Sequence, residues 1–159
     1  MLRAPLRELE ERKRRMYVTS EISLLLDGAR AGSHFANGAA DAQITDFIDG
    51  WSVNVSREQR EWKKWEKPHL VRLVGCDEVW EMCFRKPVPG WRLFGRFLER
   101  AVFVGLVLKD KRLLGTDYSG PVAEVLAEWA RLFPGVDPVR ATDLDDYLGF
   151  QWRDVDEEN

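Results

Sequence analysis

The sequence contains few of the residues that metal, disulfide or histidine chemistry requires. It has two cysteines, Cys76 and Cys83, and two histidines, His34 and His69. The cysteines lie seven positions apart, without a second Cys pair or a matching His, and this spacing does not predict a zinc site. Neither histidine has an identifiable acid–base partner. We therefore expect no metal and no cofactor, and reduced thiols typical of a cytoplasmic protein.

Long apolar runs and a secretory leader are also lacking. The apolar run at 101–108 falls well short of the roughly 20 residues of a membrane-spanning helix. The first fifteen residues are rich in Arg and Glu and have no apolar stretch of the kind found in signal peptides. With 159 residues, 45% of them hydrophobic and 32% charged, the chain has the size and composition of one globular domain without a membrane partner.

The net charge of −3 is unevenly distributed along the chain. Residues 57–112 contain fourteen Lys and Arg against eight Asp and Glu, a net charge of +6. Residues 113–159 contain three Arg against eleven acidic residues, a net charge of −8. A basic middle segment can bind phosphate, whereas the acidic end cannot.

The first part of the chain is predicted to be mainly helical. Apolar residues at helical spacing predict helices over 2–15, 21–30 and 41–48, the second capped by Thr19 or Ser20 and the third by Asp41. Alternation of apolar and polar residues then predicts a short strand over 51–55. The charged segment that follows, 57–67, is either an amphipathic helix or a basic loop.

The strongest pattern predicts three neighbouring antiparallel strands. These lie over 79–84, 91–97 and 101–108, with a loop of strand breakers at 86–90. A helix is predicted over 121–133, and beyond it an acidic tail with a short helix at 143–148 and a disordered end from 154. The expected fold is α+β, a small antiparallel sheet of three to four strands with N-terminal helices and a closing C-terminal helix. The expected organisation is a helical extension over 1–15, one α+β domain over 16–135 and an acidic tail over 136–159.

Four stretches in this order resemble the RelE/HigB toxin superfamily, including its phage-derived HigB-like relatives. They are Leu-Val-Arg-Leu-Val-Gly at 70–75, Val-Trp-Glu-Met-Cys-Phe-Arg at 79–85, Gly-Trp-Arg-Leu-Phe at 90–94, and the strand with its basic exit at 103–112. The resemblance covers about residues 70–133 and implies a RelE-like fold. It also implies a metal-independent endoribonuclease, the toxin of a toxin–antitoxin pair, which cuts mRNA on the ribosome. Its implied partners are an antitoxin protein, the ribosome and mRNA.

The candidate site residues are cations and one phenol around the central strands. Arginine suits phosphate because its planar fork donates to two oxygens at once. The catalytic candidates are Arg85, Arg92, Arg112 and Tyr118. The candidates for binding RNA or phosphate are Lys63, Lys64, Lys67, Lys109 and Lys111.

The same residues also have plainer interpretations. Arg85 and Arg92 are equally explained as cross-strand ion pairs with Glu81 or Glu99. The lysines of 57–67 alternate with glutamates, as on a salt-bridged surface helix. A second function also stays open, in which a non-enzymatic phage or mobile-element protein on the same fold binds and inhibits another protein through its acidic tail.

Overall fold

The computed structural model describes residues 6–8, 13–27, 37–58, 62–63, 67–86, 88–149 and 151–156. The strands in these ranges are β1 (Leu6–Glu8), β2 (Arg15–Thr19), β3 (Val53–Ser56), β4 (Leu70–Arg72), β5 (Trp80–Phe84), β6 (Trp91–Glu99), β7 (Val102–Asp110) and β8 (Trp152–Asp154). The helices are α1 (Ser20–Leu26), α2 (Asn37–Ile48), α3 (Lys111–Leu114), α4 (Ser119–Leu132) and α5 (Asp145–Leu148). None of these helices in the described ranges is long and apolar enough to cross a membrane.

The strands form one mixed sheet in the order β1-β2-β7-β6-β5-β4-β3-β8. Neighbours from β4 through β7 are antiparallel. By contrast, β2 pairs in parallel with β7, and β3 pairs in parallel with both β4 and β8. The prediction of three consecutive antiparallel strands is confirmed by β5, β6 and β7. These strands could be predicted because each hairpin pairs segments that are close in sequence.

The predicted fold class is wrong in the size and type of the sheet. A small antiparallel sheet of three to four strands with N-terminal helices was expected, but the described residues form eight strands in a mixed sheet. Among the described residues the first two elements are strands, and β1 lies inside the segment predicted to be a helix over 2–15. Met16 and Val18 of β2 are fully buried because they extend the sheet beside β7. This tertiary gain outweighs the helical preference of the surrounding charged residues.

Helices cover both faces of the sheet. On one face, α1, α2 and α5 pack against a core that includes Trp80 and Phe97. On the other face, α4 places Val125 and Trp129 against Phe94 and its neighbours. We call this second surface the α4 face. Alternation along the strands decides which side chains reach it.

The acidic C-terminal segment is built into the core. Leu144, Tyr147 and Leu148 are buried on the face opposite α4. The last strand, β8, pairs in parallel with β3, and the carboxylate of Asp154 lies 2.9 Å from the Nε atom of Arg57. The end from 154 was predicted to be disordered, but 154–156 are placed within this packing, and 157–159 lie outside the described residues.

One buried arginine joins the N-terminal segment to this C-terminal segment. Arg14 is fully buried and donates to the backbone carbonyls of Phe47, Trp51, Leu148 and Gln151, with donor–acceptor distances of 2.5 to 3.0 Å. Its guanidinium also lies 5.0 Å from the centre of the Phe47 ring. Burial lowers the pKa of Arg14 to about 10. The side chain therefore acts as a fixed donor that holds three chain segments together.

Candidate active site

A buried ion pair forms the centre of the α4 face. Glu81 of β5 and Arg92 of β6 both point to this face, because Glu81 is paired with Phe94 and Cys83 with Arg92 in the β5–β6 register. The Arg92 Nε atom lies 3.1 Å from Glu81 Oε1, and the two residues are 7% and 1% exposed. Burial raises the pKa of Glu81, while the positive charge of Arg92 acts in the opposite direction.

The cysteine of β5 also donates a hydrogen bond to this carboxylate. The Cys83 thiol donates to Glu81 Oε1 over 3.3 Å. Burial, together with the neighbouring negative charge of Glu81, raises the pKa of Cys83 to about 12. The thiol is therefore protonated at neutral pH, and it serves as a hydrogen-bond donor and not as a nucleophile.

Two side chains, one at the start of α3 and one just before α4, extend this group of residues towards solvent. Lys111 begins α3 and Tyr118 precedes α4. The Lys111 Nζ atom donates to the Tyr118 hydroxyl over 2.9 Å and lies 5.0 Å from the centre of its ring. The Tyr118 ring packs edge-to-face on Phe94 at 5.4 Å between centroids. This packing fixes the direction of the phenol.

The phenol also interacts with the buried carboxylate. The pKa of Tyr118 is raised above its usual range, first by burial and then by the negative charge of Glu81, and a hydrogen bond to Glu81 adds to this shift. Because the phenol donates to Glu81 and accepts from Lys111, the three groups form a line from the half-buried rim to the core. We call Glu81, Cys83, Arg92, Lys111 and Tyr118 the Glu81 cluster.

The structure brings together three of the candidate residues predicted from the sequence, Arg92, Lys111 and Tyr118. Arg92 is engaged by Glu81 and by the carbonyls of Pro89 and Trp91 at 3.0 and 3.1 Å, so the cross-strand pair is present at this residue. Its guanidinium is held in place and is almost closed to solvent.

The other cations near the cluster have acidic partners. Lys109, which pairs in register with Arg92, is bound to Glu124 of α4 over 3.0 Å. Arg112 is bound to Asp110 over 2.5 Å, and the same carboxylate accepts from the Arg112 backbone N–H as the cap of α3. Lys109 therefore lies on the α4 face, whereas Asp110, the partner of Arg112, pairs with Trp91 and points to the opposite face of the sheet.

The remaining candidates lie elsewhere or outside the described residues. Arg85 donates to the carbonyl of Pro68, and with Lys67 it lines a cleft beside α2. Lys63 is exposed, and Lys64 lies outside the described residues. The nine candidates therefore do not form a single site.

Sequence reasoning missed the carboxylate at the centre of the cluster. Glu81 was considered only as a partner for an arginine. The signal that could have identified Glu81 is its position in an otherwise apolar strand, every residue of which is buried. A glutamate in such a strand requires a cation and hydrogen-bond donors, and a buried carboxylate with a raised pKa is typical of functional sites.

This geometry can move a proton between the rim of the α4 face and its core. Glu81 can accept a proton because its pKa is raised towards the range useful for a general base. Tyr118 is the member of the line that connects Glu81 with the surface.

Comparisons with protein-family models, with curated proteins and with solved structures found no match for this chain.

Proposed function

We propose that this protein is an endoribonuclease that cleaves single-stranded RNA without a metal ion, at the Glu81 cluster. The observation that carries the proposal is the line of groups from Lys111 through Tyr118 to Glu81. Cleavage by the neighbouring ribose hydroxyl needs a proton acceptor, a proton donor and positive charge near the phosphate, and Glu81, Tyr118 and Lys111 supply them.

The reaction follows from the order of these groups. The RNA 2′-hydroxyl attacks the adjacent phosphorus while the bond from phosphorus to O5′ breaks. The proton of the 2′-hydroxyl passes to the Tyr118 oxygen as the phenolic proton moves to Glu81. Lys111 gives a proton to the departing O5′. The products are a 2′,3′-cyclic phosphate and a 5′-hydroxyl, and the cycle closes when Glu81 releases its proton and Lys111 regains one.

Arg92 acts on Glu81 and not on the phosphate in this scheme. It is 7% exposed, and its Nε atom is bound to the carboxylate. Its charge favours the ionised form of Glu81, which is the form that accepts a proton. Of the two cations in the cluster, Lys111 is therefore the one left to act at the phosphate.

The distribution of charge is compatible with an RNA substrate. The acidic segment packs through Leu144, Tyr147 and Leu148 on the face opposite α4. These residues therefore do not lie over the Glu81 cluster, and the basic segment over 57–112 supplies Lys109 and Lys111 to the α4 face. The resemblance to RelE/HigB toxins adds the further proposal that the substrate is mRNA on the ribosome.

The test compares RNA cleavage by the unmodified chain with cleavage by variants of Tyr118 and Glu81 and by a control variant of Tyr147. Labelled single-stranded RNA is incubated with the protein, alone and with translating ribosomes, and the 3′ ends are examined for cyclic phosphate. Tyr118→Phe and Glu81→Gln should each lower the rate by about 10²- to 10⁴-fold, the usual contribution of proton transfer. Tyr147→Phe is the matched control, because it removes a buried hydroxyl that donates to Glu78 over 2.6 Å on the other face.

Two results would contradict the proposal. One is the absence of cyclic phosphate products in both assays with folded protein. The other is cleavage by Tyr118→Phe at the rate of the unmodified chain. Cleavage only in the presence of ribosomes would support the toxin-like substrate, whereas equal cleavage of free RNA would assign the activity to RNA in general.

A further inference from the structure

A second polar site lies on the other side of β5. A cleft of about 480 Å³ runs between α2 and the ends of β4 and β5. This volume is in the range of small-molecule sites, about 300 to 1,000 Å³. The Glu81 cluster contributes only Cys83 to its wall. The cleft is therefore distinct from the proposed ribonuclease site.

Three cations lie along the outer part of this cleft. Lys67 and Lys86 are exposed, and neither is paired with a carboxylate among the described residues. Arg85 donates to the carbonyl of Pro68 through Nη1, and this bond orients the rest of its guanidinium fork. The carboxylate among the lining residues is Asp46, so the cleft has a net positive charge. Such a cluster fits a phosphate group, which accepts from several cations at once.

A histidine at the centre of the cleft supplies a directed neutral donor. The backbone N–H of Asn54 donates to His69 Nδ1 over 3.2 Å. Nδ1 is thus an acceptor, and the proton of the neutral ring lies on Nε2. Burial and the positive charge of Arg85 lower the pKa of His69, so the ring is neutral at pH 7. His69 can therefore donate to a ligand oxygen, but Nδ1 is not available as a base.

The inner part of the cleft offers acceptors and an aromatic ring. A pocket of about 70 Å³ adjoins the cleft and shares Gln43, Asp46 and His69 with it. Gln43 donates through Nε2 to the carbonyl of Cys83 over 2.9 Å, so its Oε1 atom is the end of the amide that remains to accept. Trp51 lines the same pocket and is 64% exposed. An exposed tryptophan ring is a stacking surface for a base.

We propose that this cleft binds a ribonucleoside monophosphate, with the phosphate among Lys67, Arg85 and Lys86 and the base against Trp51. Asp46 and Gln43 line both the cleft and the adjoining pocket, and their oxygens would accept from the ribose hydroxyls. The ligand is a free nucleotide or the phosphorylated 5′ end of an RNA chain, since both present the same chemistry. The proposal does not depend on the ribonuclease activity, because binding is measured without cleavage.

The experiment measures binding of AMP, adenosine and inorganic phosphate to the full chain by titration calorimetry. AMP should bind at least about tenfold more tightly than adenosine, because the phosphate adds charge-assisted hydrogen bonds. The double variant Lys67→Gln, Lys86→Gln should lose this advantage and still bind adenosine as before. Trp51→Leu should weaken AMP binding without changing the binding of phosphate. Arg131→Gln is the matched control, since it removes an exposed cation that pairs with Glu128 at a distance from the cleft.

The results separate the proposal from its alternatives. Equal affinity for AMP and adenosine, or an unchanged affinity for AMP in the folded double variant, would overturn it. A 5′-phosphorylated tetraribonucleotide then identifies the source of the ligand. Tighter binding of this RNA than of AMP assigns the cleft to an RNA end, and weaker binding assigns it to the free nucleotide. Either result supports the chemistry of the site.

Discussion

The buried arginine at the start of the chain provides a quantitative test of how the domain is held together. Arg14→Ala removes a guanidinium that serves four backbone carbonyls in α2, in the segment after it and in the C-terminal segment. Hydrogen bonds from a charged donor contribute about 1.5 to 3 kcal/mol each, but they are not additive, and each buried polar group left unpaired costs about 1 to 3 kcal/mol. We expect Arg14→Ala to lower the free energy of unfolding by about 3 to 5 kcal/mol, a large share of the stability of a typical domain.

Part of the lost free energy of unfolding should be recovered by a lysine, a smaller hydrogen-bond donor, at position 14. A lysine at position 14 keeps the charge but has three N–H donors in place of five, and it lacks the planar fork that reaches carbonyls on several sides. Arg14→Lys should therefore be less destabilising than Arg14→Ala by about 1 to 2 kcal/mol, roughly one charged hydrogen bond. Lys13→Ala is the control, because Lys13 is exposed and exposed substitutions usually change stability by less than about 0.5 kcal/mol.

Urea denaturation of the four proteins measures these differences. The variants should shift the midpoint at an unchanged slope, since the surface exposed on unfolding hardly changes. Hydrogen exchange would then locate the loss in α5 and β8, which Arg14 connects to the rest. A loss below about 1 kcal/mol for Arg14→Ala, at an unchanged slope, would refute the reasoning, because the four carbonyls would then be satisfied without the arginine.

Three further predictions concern the sheet, the cleft and the C-terminal segment. Gly95→Ala should destabilise the domain by about 2 to 4 kcal/mol in the same assay, since an added Cβ atom would lie 2.0 Å from the carbonyl oxygen of Val104. Nitrogen NMR should find His69 neutral at pH 7 with its proton on Nε2, and it should titrate below the usual range; a ring protonated on Nδ1 at pH 7 would contradict the bond from Asn54. Removal of 144–159 should abolish cooperative thermal unfolding, because this segment fills the core; a truncated chain with an unchanged melting temperature would restore the interpretation of an independent acidic tail.

Local patterns predicted the parts of the fold that are local in sequence. The hairpins of β5, β6 and β7 join neighbouring segments, and their alternation shows directly in the chain. The parallel pairs could not be predicted in this way, because Met16 lies opposite Phe103 and Trp152 lies opposite Val53. Nothing in a short strand specifies a partner so far away in sequence. The acidic segment was predicted to be a solvated tail because of its charge, and its buried apolar residues were not recognised.

For the candidate site, too, the sequence predicted the chemistry of single residues but not the contacts between distant ones. The cations and the phenol could be named because their side chains suit phosphate chemistry wherever they lie. Whether each is available depends on contacts between elements, and these bind Lys109 to Glu124 and hold Arg92 against Glu81. His69 follows a proline and has no neighbour in sequence that indicates its role. Its environment arises only when α2 and the strand ends come together.

We expect the two proposed sites to be coupled electrostatically through the end of β5. Burial raises the pKa of Glu81, and the positive charge of Arg85 in the cleft opposes this rise, as the charges of Arg92 and Lys111 do. A phosphate bound in the cleft would offset the charge of Arg85, while Arg92 and Lys111 would keep theirs. The pKa of Glu81 should therefore rise when AMP binds, and a smaller fraction of Glu81 should be ionised at a given pH.

The pH dependence of RNA cleavage reports this change. Since Glu81 must be ionised to accept a proton, saturating AMP should move the acidic limb of the rate profile to higher pH. Arg85→Gln should produce a shift in the same direction without AMP, because it removes the same charge, and AMP should then add little. Arg131→Gln should leave both profiles unchanged. A profile that AMP does not move, measured at a concentration shown to fill the cleft, would mean that the charge of Arg85 does not reach Glu81 and that the two sites act independently.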